Sequence, residues 1–578
     1  MTELPLAERP ESTSPPAAQT GRGLAGAASL ISLGNVASRV LGLARETVIA
    51  DLFGATGFVS AFRVAALVPT IFYDLLVGGM VSSALVPVFS EYAEKDRDEL
   101  WRLASLMLSL AVAVLAVAVL LIELAAPGLA LLLAPGYRSD PELMQALVRL
   151  LRIVAPAMLF LSLSGIITGL LYALKRFAFP AFTAAAFNAT MVAVTLVGAL
   201  AFGWGIEIVA VGLLGGAAVQ VGLQLPGLRG ARLRPSFNWN HPGLRRIAVL
   251  YLPVILGLVI DQGANVLDRN LASRIPEPQT IAWMQFATTL IQFPLGLVSA
   301  AISLAILPTL SRYAAMENGD RRLEIRDRRL EIGDQNSPPG SQTPTPQSPT
   351  LRVPISQSPF MDILVRGLKM VLILIIPATV GLFVLAGPVI ALLFEHGDFT
   401  PFDTQQTALA LRFYLLGLTF AAIDQPLIFA YYARQNTLTP ALVGLLAVGL
   451  YLASALTPTL FHPLRMTDLV LANSIKLSGH ALVMLWLIGR GGWLRGRGLL
   501  PTALKALLAA GAMGAALAGL LRFLQPLLPP GAVLNEILLV GLAGLAGLVI
   551  YGLLLLALRV PEAGALLALL QSRRRGQP

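Results

Sequence analysis

Residues 103–133 read LASLMLSLAVAVLAVAVLLIELAAPGLALLL and contain a single charged side chain, Glu123. A helix needs roughly 20 residues to cross the hydrocarbon core of a bilayer, and this apolar run is longer than that. The run lacks the alternation of apolar and polar residues that marks a membrane β-strand. The segment therefore predicts a transmembrane α-helix.

The same pattern recurs along the whole chain. Of its 578 residues, 56% are apolar and 13% are charged, and the mean hydropathy is +0.74. A soluble domain usually carries about 25% charged residues, so this composition argues against a cytosolic enzyme and against a disordered chain. We predict an all-α polytopic membrane protein with fourteen spans, near residues 24–50, 58–90, 103–133, 142–173, 180–203, 207–226, 246–272, 279–310, 361–386, 404–432, 439–460, 467–489, 500–524 and 534–558.

The distribution of basic residues predicts the orientation. If the N-terminus is cytoplasmic, 30 of the 42 Lys and Arg residues fall in cytoplasmic segments and four fall in the opposite loops. Such a bias is the positive-inside pattern of a multi-pass membrane protein. It places both termini in the cytoplasm. It also explains the net charge of +10 without nucleic acid as a partner.

The chain divides into five predicted regions. Residues 317–359 repeat a charged RRLEI unit and continue into a Pro, Ser, Thr and Gln tract, a composition typical of a flexible linker. We therefore expect a disordered cytoplasmic tail (1–22), spans one to eight (23–310), a disordered cytoplasmic insertion (311–360), spans nine to twelve (361–490), and two extra helices with a basic tail (491–578).

Several spans contain ionisable side chains, which are costly in a bilayer and usually face a cavity or a partner. Glu46 follows Arg39 by seven residues and shares its helix face, whereas Arg45 points elsewhere. The candidates for substrate binding are Arg39, Arg45, Glu46, Arg63, Asp74, Arg269 and Arg412.

A second set of polar residues is a candidate for ion coupling. Asp261, Asn265 and Asp268 form a stripe on one helix face, which either coordinates a hard cation such as Na⁺ or pairs with arginines. Asp424 and Lys476 lie in later spans, and His480, four residues after Lys476, is either proton-linked or hydrogen-bonded to a neighbouring helix. We expect no cofactor and no bound transition metal, with Na⁺ or H⁺ coupling as the open alternatives.

The sequence contains none of the enzyme motifs that we searched for. It lacks G-x-S-x-G, H-E-x-x-H and a phosphate-binding loop, and it has no cysteine. Many spans with buried charge and no catalytic motif are typical of a transporter rather than an enzyme.

Several ordered motifs resemble one family. SRVLGLARE (38–46), LFGA (52–55) and ALVPVFSEY (84–92) resemble the beginning of the MurJ (MviN) lipid II flippases. Pro294-Leu295-Gly296, FEHGDFT (394–400) and YARQNTLTP (432–440) resemble later motifs of the same family. The resemblance covers about 24–560 apart from the insertion.

This resemblance implies a two-lobed bundle of the MOP exporter superfamily, similar to MATE transporters, with two extra C-terminal helices. It implies alternating-access transport of the undecaprenyl-diphosphate-linked peptidoglycan precursor across the bacterial cytoplasmic membrane, with membrane lipids and cell-wall synthesis proteins as partners. Cationic cavity residues are expected to hold the diphosphate.

The chain also departs from the family pattern. Arg39, Arg45 and Glu46 match, but residues 69–74 lack the arginines of the second span. Further charged family positions are replaced by Ser60, Thr289 and Gln292. Arg63, Arg269, Arg412 and Lys476 are the candidate replacements for the missing cations.

Four other functions remain open at this point. They are a flippase for another polyprenol-linked oligosaccharide, a cation-coupled exporter of small amphiphiles, a non-transporting cell-wall scaffold that acts through 317–359, and a polytopic glycosyltransferase using Glu395, Asp398 and Asp403.

Overall fold

The computed structural model describes residues 17–299, 302–303, 306–316, 359–490, 496–528 and 533–564. All regular structure within these ranges is helical. Most of the predicted tail (1–16) and most of the predicted insertion (317–358) lie outside the described residues.

The first lobe consists of helices that pack on one another. Helix α1 packs on α8, α2 on α5, and α6 on α9. The bounds are α1 Ala17–Phe53, α2 Gly57–Tyr73, α3 Val86–Lys95, α4 Arg97–Leu133, α5 Pro141–Val154, α6 Ala157–Ala173, α7 Ala178–Ala181, α8 Thr183–Phe202 and α9 Glu207–Gln224.

The remaining helices form the second lobe and its flank. Helix α15 packs on α11, α13 and α17, and α10 contacts both lobes through α4 and α16. The last two helices, α18 and α19, pack on each other and against α13 and α14. The bounds are α10 Pro242–Ser273, α11 Thr280–Pro294, α12 306–316, α13 Pro359–Val384, α14 Ala386–Phe394, α15 Pro401–Ala433, α16 Leu438–Leu456, α17 Met466–Gly489, α18 Leu499–Leu524 and α19 Val533–Ala557.

Local sequence explains where the long helices begin. Asp96 ends the turn before α4 and accepts hydrogen bonds from the amides of Asp98 and Glu99. Thr400 and Asp403 form a reciprocal capping box at the start of α15. These side chains satisfy amide groups that the first turn of a helix leaves without partners.

Helix α1 begins earlier than the sequence predicts. We placed the end of the tail at residue 22, but the helix begins at Ala17, directly after Pro15 and Pro16. Proline is compatible with the beginning of a helix because the first amides have no intrahelical acceptor. The helix therefore includes Arg22.

The membrane class is confirmed, and the number of spans stays a prediction. Within the described residues, eleven helices are long and apolar enough to cross a membrane, and a twelfth qualifies if the bent segment 242–273 is one span. Two of the fourteen predicted spans are not among these twelve. Helix α1 covers the predicted span 24–50, and the predicted span 279–310 extends beyond α11 into residues that the structure does not fully describe.

The two lobes meet at the end of the bundle where α1 ends. The amide of Asp398 donates a hydrogen bond of 2.9 Å to the carbonyl oxygen of Asp51. Gly54 and Gly397, at φ +59° and +54°, allow these two segments of the chain to approach this closely. We call residues 51–54 and 397–398 the lobe junction.

An aromatic cluster supports the junction from within the second lobe. The Phe286 ring of α11 lies 5.1 Å from Phe394 and 5.4 Å from Phe399, measured between ring centroids. All three rings are fully or almost fully buried. The cluster fixes the 394–400 loop against α11, so the loop is a rigid part of the junction.

Candidate functional site

A polar cavity of about 340 Å³ lies between the two lobes. Helices α1 and α8 form its wall on the first lobe, and α11 forms its wall on the second. The lining residues are Asn35, Ser38, Arg39, Gly42, Leu43, Arg45, Asn188, Gln285, Thr289, Gln292 and Phe293. Most of these side chains are polar, which is unusual for helices of a membrane bundle and is typical of a site for a hydrophilic ligand.

Arg45 is held on the cavity wall by two neighbours. Its Nη1 donates to Oδ1 of Asn188 at 3.0 Å, and its Nη2 donates to Oε1 of Glu46 at 2.6 Å. Asn188 is itself oriented because its Nδ2 donates to the carbonyl oxygen of Ser38 at 3.1 Å. The guanidinium group is therefore fixed between α1 and α8.

Glu46 is fully buried and pairs with two cations at once. Arg63 from α2 also donates to both of its carboxylate oxygens. The Arg63 side chain is 8% exposed and faces the rings of Phe62 and Phe286. Its Nε is buried with no hydrogen-bond partner among the described residues. The sum of these three charges is +1, so the network leaves a net positive charge beside the cavity.

Arg39 crosses the cavity from the first lobe to the second. Its Nη1 donates to the carbonyl oxygen of Gln292 at 3.0 Å. A Cβ atom on Gly296 would lie 1.9 Å from Nη2 of Arg39, so only glycine leaves room for the guanidinium in this position. Arg39 therefore contributes both a cation in the cavity and a polar link between the lobes.

The two arginines line one cavity although they do not share a helix face. The lining residues of α1 cover one broad side of the helix, about 160° wide, and Arg45 lies at one edge of that side. Two guanidinium groups in a cavity whose other polar lining residues are neutral favour an anionic ligand, because the planar fork of arginine binds phosphate or carboxylate oxygens bidentately.

The other candidates for substrate binding lie outside the cavity wall. Arg269 reaches the cavity only indirectly, since its Nη2 donates to Oε1 of the lining residue Gln285 at 2.8 Å. Asp74 accepts a hydrogen bond of 3.1 Å from Gln262. Arg412 donates to the carbonyl oxygen of Phe383 at 3.4 Å.

The polar stripe of α10 is divided among different neighbours. Asp268 accepts a hydrogen bond of 2.6 Å from the hydroxyl of Tyr451 in α16. Asn265 donates to Gln262 of its own helix at 3.2 Å, and Asp261 is exposed. Asp261 and Asp268 are about 10 Å apart along the helix axis, so they meet different surroundings although they share a face. The described residues contain no group of three or more acidic, His or Cys side chains placed to hold a metal ion.

The remaining ion-coupling candidates lie in the second lobe. Asp424 of α15 and His480 of α17 pair at 2.8 Å. The Lys476 ammonium lies 5.8 Å from the centroid of the Tyr451 ring.

The sequence analysis misses three amide residues of the cavity, Asn35, Asn188 and Gln285. All three are uncharged and lie within apolar spans, whereas the candidates in those spans were chosen among ionisable groups. A search for Asn and Gln in the spans would find all three, because an amide in hydrocarbon needs a partner for each hydrogen-bonding group. Thr289 and Gln292, which replace charged family residues, also line the cavity.

A second, apolar cavity of about 760 Å³ lies between α13, α15, α17 and α18. Its wall is almost entirely Leu, Ile, Val and Phe side chains, with two threonines, Thr379 and Thr419. Its chemistry suits a hydrocarbon chain rather than a polar group.

Comparisons with known proteins agree with this architecture. The chain matches the family model described as lipid II flippase MurJ over residues 49–538. It is 28% identical to the lipid II flippase MurJ of Burkholderia cenocepacia over 434 residues, which covers 74% of this chain and 76% of the relative. A solved structure of a lipid II flippase MurJ in an inward closed conformation matches with a TM-score of 0.70 and 23% identity, covering 91% of this chain and 97% of that one.

The fold extends beyond that family. An inward-facing MATE multidrug resistance transporter of the MOP superfamily matches with a TM-score of 0.61 and 13% identity, covering 79% of this chain and 94% of the transporter. This likeness confirms the predicted MATE-like bundle. Because the family model covers most of the chain, this protein belongs to the lipid II flippase MurJ family.

Proposed function

We propose that the chain is a lipid II flippase, which moves the undecaprenyl-diphosphate-linked peptidoglycan precursor across the bacterial cytoplasmic membrane by alternating access. Family membership supports this proposal, and one structural observation carries it: Arg39 and Arg45 line a polar cavity between the two lobes.

The cavity provides what a diphosphate headgroup requires. Arg45 presents its guanidinium with a fixed orientation, because Glu46 and Asn188 hold it from two sides. A charge-assisted hydrogen bond to phosphate is roughly twice as strong as a neutral one. In this scheme Arg39 and Arg45 contact the substrate, whereas Glu46 and Arg63 are positioning residues.

The lipid tail needs a separate, apolar environment. The apolar cavity between α13 and α18 offers such a surface within the second lobe. A lipid-linked substrate can then keep its polyprenyl chain among hydrocarbon groups while the headgroup is in the polar cavity.

Orientation and coupling complete the proposal. The positive-inside bias favours cytoplasmic N- and C-termini, which would place the lobe junction on the opposite, periplasmic side. The chain would then flip lipid without chemical catalysis and couple transport to Na⁺ or H⁺. Cell-wall synthesis proteins are candidate partners of the segment 317–359, of which residues 317–358 lie outside the described residues.

A second candidate function is transport of a different polyprenol-linked oligosaccharide. The observation that favours it is the uncharged α11 wall, where Thr289 and Gln292 replace the charged residues expected from the family resemblance. A cavity with fewer charges selects a headgroup with different charge or size.

Complementation tests the main proposal. The full chain is expressed in a bacterium depleted of its own lipid II flippase, alongside Arg45→Ala and the matched control Arg412→Ala. The proposal predicts rescue by the native chain and by Arg412→Ala, but not by an equally abundant Arg45→Ala. Lack of rescue by the native chain would be followed by flipping assays in proteoliposomes that contain purified lipid II. Absence of flipping there would contradict the proposal and favour the other cargo.

A further inference from the structure

A buried acid–base pair lies in the second lobe, away from the polar cavity. Nδ1 of His480 in α17 is 2.8 Å from both carboxylate oxygens of Asp424 in α15. The two side chains are only 12% and 14% exposed. The substrate site described above does not use either residue, so the pair needs another explanation.

The surroundings of His480 favour its imidazolium form. Nδ1 faces the Asp424 carboxylate, and Nε2 faces the carbonyl oxygen of Pro440 in α16 at 3.4 Å. Both of these neighbours are hydrogen-bond acceptors when Asp424 is ionised. A neutral imidazole has one N–H donor, whereas imidazolium has two, so one added proton lets both ring nitrogens donate.

Binding that proton also changes the charge of the pair. Ionised Asp424 with neutral His480 carries one negative charge, and the same carboxylate with imidazolium is neutral overall. An isolated charge within a bilayer is costly, so the protonation state affects how α15, α16 and α17 pack at this point. The other charged group on the same face of α17 is Lys476, one helical turn before His480.

A chain of polar contacts leads from this region to the polar cavity. Lys476 lies against the ring of Tyr451, and the Tyr451 hydroxyl donates to Asp268 at 2.6 Å. The next residue, Arg269, donates to Gln285, which lines the cavity. Helix α11 itself has no charged residue, so Arg269 is the charged group on this route nearest to the wall.

We propose that the Asp424–His480 pair binds the proton that is coupled to transport, and that α17, α16 and α10 transmit its binding to the cavity. This inference rests on the proposed transport function but assigns the ion and its site. Asp424 and His480 exchange a proton with water, and the Lys476–Tyr451–Asp268 contacts connect the pair to the lobe interface.

The first experiment measures protonation without substrate. The chain has four histidines, so ¹⁵N-histidine NMR of the full protein in nanodiscs gives few signals, and His480→Gln identifies the one of interest. We expect the His480 signal to change between neutral and imidazolium forms with pH. We expect Asp424→Asn to move that pH range by at least about one unit. A His480 that stays neutral from about pH 5 to 9, or a titration that Asp424→Asn does not move, would overturn the proposal.

The second experiment measures coupling to the lobes, again without substrate. Because the chain has no cysteine, spin labels can be placed at Glu94→Cys in α3 and Leu438→Cys in α16 without background. Both positions are exposed, at the end of the bundle away from the lobe junction. Distances between the labels should change across the His480 titration and become independent of pH in His480→Gln. The matched control is His462→Gln, which removes a histidine that pairs with Asp468 at 3.8 Å near the start of α17.

Flipping assays then separate this inference from the proposed function. A native chain that flips lipid II is expected to accelerate severalfold under an imposed proton gradient. His480→Gln should lose the acceleration, measured as the ratio of the rates with and without the gradient, whereas His462→Gln should keep it. A native chain with no flipping contradicts the proposed function alone, because the NMR and distance measurements still decide the proton site. Equal acceleration in His480→Gln contradicts the proton site alone.

Discussion

The amide nitrogen of Asp398 lies 2.9 Å from the carbonyl oxygen of Asp51, and this hydrogen bond joins the two lobes. The first residue belongs to the loop before α15, and the second belongs to the last turn of α1. A hydrogen bond between backbone groups does not depend on side-chain identity, so the closeness of the two segments depends on the glycines beside it. The junction therefore joins the two lobes through backbone contact at the end of the bundle where α1 ends.

Gly397→Ala is predicted to open this junction. The new Cβ would lie 2.0 Å from the carbonyl oxygen of Asp51, and the φ of +54° is unfavourable for alanine. Distances between spin labels at Arg138→Cys and Gln405→Cys should lengthen, because both exposed positions are at this end of the bundle. Gly387→Ala is the matched control, since nothing lies within 4 Å of its Cβ. Unchanged distances in Gly397→Ala would show that the junction does not hold the lobes together.

Glu46→Gln is predicted to destabilise the first lobe strongly. The substitution leaves Arg63 buried without a carboxylate, and breaking a buried ion pair in this way typically costs about 3–5 kcal/mol. The midpoint of thermal unfolding in detergent should fall clearly below that of the native protein. Replacing both members, in Glu46→Gln with Arg63→Met, should recover much of that loss, because the one cation left without a carboxylate, Arg45, lines the polar cavity and keeps its hydrogen bond to Asn188. A double variant that is no more stable than Glu46→Gln would show that the unpaired Arg63 guanidinium is not the cause of the lost stability.

Much of the fold followed from hydropathy, but the partners of the site residues did not. Apolar runs of about 20 residues predict helices directly, and each predicted span corresponds at least in part to a helix. The pairing of Glu46 with Arg63 joins different helices, and spacing within one span carries no information about it. The same limit applies to Asp424 and His480, which are 56 residues apart. Asn188 and Gln285 were not predicted as site residues because they carry no charge. Asn188 nevertheless accepts a hydrogen bond from Arg45, and Gln285 accepts one from Arg269.

Gly296→Ala is predicted to impair transport without destabilising the fold. The added methyl group would overlap the Arg39 guanidinium, with its nearest nitrogen at 1.9 Å, and this flexible side chain can move away at little cost. Arg39 would then lose its contact with Gln292, and binding of lipid II to the purified protein should weaken by about tenfold, equivalent to about 1.4 kcal/mol. The unfolding midpoint should stay close to that of Gly444→Ala, a control in α16 with nothing within 4 Å of its Cβ. Equal binding of lipid II by Gly296→Ala and Gly444→Ala would show that Arg39 does not contribute to substrate binding.

Thr289→Arg tests whether the uncharged α11 wall sets the choice of substrate. Thr289 lines the cavity opposite α1, at the position where the family resemblance predicts an arginine. Its hydroxyl donates only to the carbonyl oxygen of Gln285 within its own helix, so no contact between helices is lost. If the cargo is lipid II, a third guanidinium should strengthen binding of the diphosphate headgroup by about tenfold or more, since a hydrogen bond to a charged group contributes about 1.5–3 kcal/mol.

Binding is measured with purified lipid II and with a polyprenyl monophosphate-linked sugar, and Thr288→Arg serves as the control because Thr288 is outside the cavity lining. A gain confined to lipid II would support a diphosphate site between α1 and α11. Weaker binding of lipid II in Thr289→Arg would instead mean that the native wall accommodates a bulkier or less charged headgroup, because the added side chain would then occupy space that the substrate needs.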